Sequence, residues 1–231
     1  NYTAWERWYS GWKEPIELTA DTTVVSGMES LTKNGNTYII YNEANRNEYY
    51  LLENRQQTGW DVNLPSHGLM VSHVDYDPSI WDYNIVNTFT EKGDDYEQQG
   101  VSNDHQRMTI FHADNEDGES FYDDYGNYNV DSEVHDLYPY NGLDSLTNRS
   151  VPAAKVYNAN TDGSHFMNLG LYRITENSDG TVSFESRPTS APSANVLIVG
   201  DYLLHETFDN CNGEGGNSGG FGGTLATGMF S

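Results

Sequence analysis

A single cysteine, Cys211, stands in 231 residues, so no disulfide can form within the chain. Basic residues are scarce: 11 Lys and Arg against 35 Asp and Glu, a formal charge of -24. A field of that sign repels phosphate backbones, which excludes nucleic acid as a partner and makes an anionic membrane surface a poor one. No apolar run approaches the ~20 residues that a membrane-spanning helix requires. Aliphatic side chains are also thin, with apolar residues at 36% and a mean hydropathy of -0.71. Aromatic residues compensate, at 13% of the chain with 17 Tyr and 5 Trp. Their rings bury large apolar areas while keeping a polar handle, so a folded core is expected. The chain opens on Asn1 without a signal-peptide pattern, and is expected to be a processed product or part of something longer.

Complete catalytic signatures are missing as well. A zincin needs two His at i and i+4 on a helix, with Glu between them as general base. None of His67, His73, His105, His112, His135, His165 and His205 stands four residues from another. His205-Glu206-Thr207-Phe208-Asp209 begins that motif and then has Asp where the second His belongs. Gly216-Asn217-Ser218-Gly219-Gly220 matches the serine-hydrolase elbow only inside a glycine-rich run, with no helical pattern after it. Cys211, flanked by Asp209 and Glu214, lacks the electropositive surroundings that activate a thiol. No phosphate-binding glycine loop is present. No catalytic residue is therefore assigned. A glycosidase carboxylate pair ranks as a distant third reading, because acidic residues are too abundant to single one out.

What is present reads as mainly β, with a short N-terminal helix and long acidic loops. In residues 1–12, Trp5, Trp8, Tyr9 and Trp12 recur on one helical face, Thr3 and Glu6 form a capping-box pattern, and Gly11 and Pro15 close the segment. Residues 16–18, 24–25 and 38–41 read as short strands, with a tight turn at Asn34-Gly35 between two of them. Residues 48–54 (E-Y-Y-L-L-E-N) and 68–74 (G-L-M-V-S-H-V) read as central strands, and 107–112 as a further one. Residues 166–175 and 181–185 form a hairpin around Asp179-Gly180. Residues 75–101 and 114–140 are long acidic loops, of the length that is often functional or ion-supported. Calcium prefers carboxylate oxygens, and crowded carboxylates repel one another unless a cation or solvent intervenes. Asp75 and Asp77, and Asp114, Glu116 and Asp117, are accordingly the calcium candidates, with solvated surface loops as the competing reading. His73, at the end of its strand, is read as a hydrogen-bonded structural histidine rather than a ligand.

Several segments, taken in order, resemble the C-terminal part of the peptidase domain of the immune inhibitor A family of secreted bacterial zinc metallopeptidases. They are A-W-E-R-W-Y-S-G-W with the following Pro15, E-Y-Y-L-L-E-N-R with G-W-D, P-S-H-G-L-M-V-S-H-V-D, I-F-H-A-D, and D-L-Y-P-Y-N-G with S-V-P. The resemblance implies the distal half of an α+β metallopeptidase domain over 1–187, secreted or at the cell surface. It implies a catalytic H-E-x-x-H helix and its zinc upstream of this chain, and proteins as the parent's substrates. It implies too that Trp5, Trp8 and Trp12 pack against that upstream half, a partner within the same protein, and that calcium stabilises the fold. A Pro/Ser-rich linker is expected at 188–195, and 196–231 resembles the start of an adhesin-type β-sandwich module, opening with a strand over 196–204. The alternative reading is an extracellular non-enzymatic module that binds glycans or proteins through its Tyr and Trp side chains.

Overall fold

The computed structural model describes residues 1–90, 95, 99–116, 121–122, 128–129, 133–189, 195–199 and 202–206. In chain order these make helix α1 (Ala4–Tyr9), strands β1 (Ile16–Glu17), β2 (Thr23–Met28), β3 (Tyr38–Tyr41), β4 (Glu48–Arg55) and β5 (Gly68–Asp75), and helix α2 (Pro78–Asp82). Then come β6 (Met108–Ile110), β7 (Phe121–Tyr122), β8 (Tyr128–Asn129), β9 (Leu169–Glu176) and β10 (Val182–Pro188). The fold is mainly β: a five-stranded sheet in the order β1-β3-β4-β5-β6 and a three-stranded sheet in the order β2-β10-β9. Only β1 and β3 run parallel; the other pairs in both sheets are antiparallel.

Every residue of β4 is buried, because the sheet is covered on both sides. Successive strand side chains point to opposite faces, so the two alternating sets of β4 enter two different cores. Tyr50 and Leu52, with Ile40, Leu69 and Val71, meet Val25, Met28, Leu171, Ile174, Val182 and Phe184 of the three-stranded sheet. Tyr49 and Leu51, with Ile39 and Val74, meet Ala4, Trp5, Trp8 and Trp81. Burying each of these larger side chains stabilises the fold by about 1.5–3 kcal/mol.

The capping box forms as the sequence suggests: the Glu6 amide donates to Thr3 Oγ1 at 3.2 Å, and the Thr3 amide to Glu6 Oε2 at 2.7 Å. The helix stops at Tyr9 instead of reaching Trp12, because Gly11 takes a left-handed φ of 69°. Trp5 and Trp8 therefore pack on the chain's own sheet, with Trp5 Nε1 donating to Tyr49 OH at 3.0 Å. Both remain only partly buried there. Trp12 leaves that face; it is 62% exposed and meets Tyr2 edge-on at 5.1 Å. The helix is also held by Glu53, a buried β4 carboxylate that accepts the Ala4 amide and, at 2.6 Å, Arg55 Nε. Burial pushes the Glu53 carboxyl up, opposed by the Arg55 guanidinium beside it.

Three further expectations change. Asn34-Gly35 does not turn a hairpin: Asn34, at φ 59°, ends a 3-10 turn over Leu31–Lys33, and β2 and β3 go to different sheets. The segment expected as an acidic loop over 75–101 carries α2 and a small core of Ile80, Ile85 and Val101. The strand expected over 196–204 is an antiparallel hairpin of β11 (Asn195–Val199) and β12 (Tyr202–Glu206). The hairpin of β9 and β10 forms as expected, Asp179 accepting from the Thr181 amide at 3.0 Å and Gly180 taking φ 79°. The chain divides into two compact units, Asn1–Ala191 and Pro192–Ser231, the second containing the β11–β12 hairpin.

Candidate functional site

At one end of the inner face of the five-stranded sheet, the apolar pattern gives way to charge. Antiparallel register sets Glu48 opposite Asp75 and Tyr50 opposite His73, while His73 also faces Thr109 of β6. Directly opposed residues share a face, so Glu48, His73, Asp75 and Thr109 extend the Tyr50 face to the sheet's end. The segment around Tyr157 and Asn158 closes over them.

Glu48 is fully buried and saturated with donors. It accepts from His73 Nε2 at 2.7 Å, the Tyr157 amide at 2.5 Å, the Asn158 amide at 2.9 Å, and the side-chain amides of Asn42 and Asn158 at 3.1 Å each. Burial alone would raise its pKa; the hydrogen bonds from His73, Asn158 and Tyr157 outweigh that and pull it down to about 2. Glu48 is thus ionised at neutral pH and acts only as an acceptor, so His73 Nε2 carries a proton. His73 Nδ1 has no hydrogen-bond partner among the described residues.

Asp75 lies beside this pair and is satisfied separately. Its Oδ2 accepts from Arg107 Nη1 at 2.8 Å and His105 Nε2 at 3.0 Å, and its Oδ1 from Asn158 Nδ2 at 3.1 Å. Asn158 Nδ2 thereby bridges both buried carboxylates. The rings form a continuous stack: Phe111 on His73 at 5.9 Å, His73 on Tyr157 at 5.1 Å, and Tyr157 on His105 at 3.7 Å. The arrangement locks the 157–158 segment onto the sheet and fixes the His73 ring, whose free edge borders a cavity of about 390 Å³.

The other calcium candidates lie elsewhere. Asp77 caps α2, accepting from Ser79 N at 2.9 Å and Ser79 Oγ at 2.6 Å; the Ser79 hydroxyl holds its carboxyl below the usual range. Asp114 accepts the Glu116 amide at 3.0 Å and stands 3.9 Å from His135 Nδ1. Glu116 is exposed, and Asp117 lies outside the described residues. Asp75 and Asp77 thus face different partners despite their spacing. Among the described residues, no group of three or more His, Cys, Asp or Glu side chains is placed to hold a metal ion.

Sequence reasoning missed Glu48, His105, Arg107 and Asn158 in this cluster. The one available signal was Glu48 itself, a carboxylate opening a strand that otherwise reads as buried, which calls for a partner inside the fold. His73 is hydrogen-bonded within the fold, as expected. No family model, curated protein or solved structure matches the chain.

Proposed function

We propose that the chain is the non-catalytic distal portion of a secreted bacterial zinc metalloendopeptidase, completing the peptidase fold behind a cleft whose zinc helix is supplied upstream of this chain. The observation that supports the reading is the ordered set of segments resembling the immune inhibitor A family. Those same segments supply α1, β4 and β5, which pack as one body. In this reading the buried polar cluster braces the sheet, and proteolysis belongs to the complete protein. Sequencing the natural transcript 5′ of the Asn1 codon tests it. An in-frame H-E-x-x-H helix segment is expected, and a start codon at that point would overturn the reading.

Calcium at Asp114, Glu116 and Asp117, or at Asp75 and Asp77, belongs to the same proposal. The first group has the better support: Asp75 is already neutralised by Arg107, whereas the nearest cationic candidate for Asp114 among the described residues is His135, at 3.9 Å.

A second reading, an extracellular glycan- or protein-binding module, is favoured by one feature. Trp5, Trp8, Tyr9, Tyr41, Tyr49 and Tyr76 line a groove of about 410 Å³, with Trp5 and Tyr9 stacked at 4.9 Å. Such rings suit contact with sugar faces or peptide side chains. Retention of the chain on a glycan array, lost in Trp8→Ala, would favour this reading over the first.

A further inference from the structure

The cavity beside His73 is lined by polar side chains, with Asn115 and Lys155 at its exposed rim. Its lining includes His73, Thr109, Phe111, Asn115, Lys155 and Tyr157. His73 is only 8% exposed, and its Nδ1 is unpartnered among the described residues. Within the same set, the side chains of Thr109, Asn115 and Lys155 also make no hydrogen bond or ion pair. Lys155 is the cation of this lining, in a chain where acidic residues outnumber basic ones three to one. Its ammonium makes no ion pair among the described residues, and the buried carboxylates of the adjoining cluster are engaged elsewhere: Glu48 by His73, Asn42 and the 157–158 segment, and Asp75 by Arg107, His105 and Asn158.

These groups define a ligand. Lys155, with the amide of Asn115 and the hydroxyl of Thr109, offers donors to an anion with several acceptor oxygens, and a carboxylate meets that description. With Nε2 committed to Glu48, His73 in its neutral form presents a lone pair at Nδ1, which calls for an N–H or O–H donor on the ligand. Phe111, Val156 and the Tyr157 ring supply apolar wall. One common chemical unit carries all three features in close proximity: an acylated amino acid with an apolar side chain and a free carboxylate.

We propose that this cavity binds the free C-terminal residue of a peptide with an apolar terminal side chain. The carboxylate sits at Lys155, the terminal amide N–H donates to His73 Nδ1, and the side chain rests against Phe111 and Tyr157. Glu48 acts as a positioning residue that fixes the His73 ring. The inference does not depend on the peptidase reading, because it concerns binding by residues 1–231 alone.

Calorimetric titration of the full chain tests it, using a short unstructured peptide ending in Phe. Three companions are its C-terminal amide, the same peptide N-methylated at the terminal residue, and the Lys155→Met variant with the original peptide. The free acid is expected to bind. Loss of the carboxylate, of the N–H donor, or of the Lys155 ammonium should each weaken binding about tenfold or more, the loss of one charge-assisted or buried hydrogen bond. Because two of the three changes are made in the ligand, an unfolded variant cannot account for the result. Equal binding of acid and amide, equal binding of the N-methylated peptide, or no binding at millimolar concentration would overturn the proposal.

Discussion

Replacing Glu48 with Gln removes the charge on which the buried cluster is built. The wild-type carboxylate accepts from His73, Asn42, Asn158 and the Tyr157 and Asn158 amides. Gln presents one oxygen and an NH2 group that confronts donors, so at least one buried N–H loses its acceptor. Leaving a buried donor without its acceptor typically costs about 1–3 kcal/mol, and more where the lost partner is charged, and that cost is expected at pH 7. The pH dependence gives a separate reading. The Glu48 pKa falls from 4.5 in the unfolded chain to about 2 in the fold. At about 1.4 kcal/mol for each pH unit, that difference is worth about 3 kcal/mol. Because the folded value is the lower one, this stabilisation is fully present above pH 4.5 and is lost as pH falls towards 2. Glu48→Gln cannot lose it. The stability gap between wild type and variant should therefore narrow by about 3 kcal/mol between neutral pH and the low end of that window. Urea unfolding followed by tryptophan fluorescence at a series of pH values measures the gap directly, and other carboxylates cancel because both proteins carry them. A gap independent of pH, or one smaller than about 1 kcal/mol at pH 7, would refute the role assigned to Glu48.

Gly68→Ala should destabilise the chain by about 1–3 kcal/mol or prevent folding. Gly68 has φ 124°, and a Cβ there would stand 2.3 Å from the Tyr138 carbonyl oxygen; the midpoint of thermal unfolding reports the change. Tyr138→Phe should be neutral or stabilising by up to about 1 kcal/mol, since the buried Tyr138 hydroxyl has no hydrogen-bond partner among the described residues; a clear loss in urea unfolding would show that the hydroxyl is satisfied. Millimolar calcium should raise the melting temperature, with reversal by chelator and loss of the effect in Asp114→Asn. Absence of a shift would end the calcium proposal.

Much of the sheet was legible because β4 and β5 carry long apolar runs bounded by polar residues, and the capping box of α1 was legible because Thr3 and Glu6 act locally. The length of α1 was not: the aromatic periodicity continues to Trp12, but the left-handed backbone at Gly11 ends the helix first. The placement of Trp5 and Trp8 depends on Tyr49, more than forty positions away, and no local pattern reports such a contact. The same holds for the polar cluster. Glu48, Asp75, Arg107 and Asn158 are drawn from four separated stretches, and only strand register and the returning 157–158 segment bring them together. Asp75 looked like a cation ligand because its local surroundings are acidic, whereas its partners Arg107 and His105 come from beyond the next thirty positions or so.

Zinc content and peptide hydrolysis, measured side by side on purified residues 1–231 and on the complete natural protein, bear most directly on the proposed function. The expected result is stoichiometric zinc with casein cleavage by the complete protein, and neither property in residues 1–231. Zinc held by side chains of this chain, together with hydrolysis by it, would contradict the account.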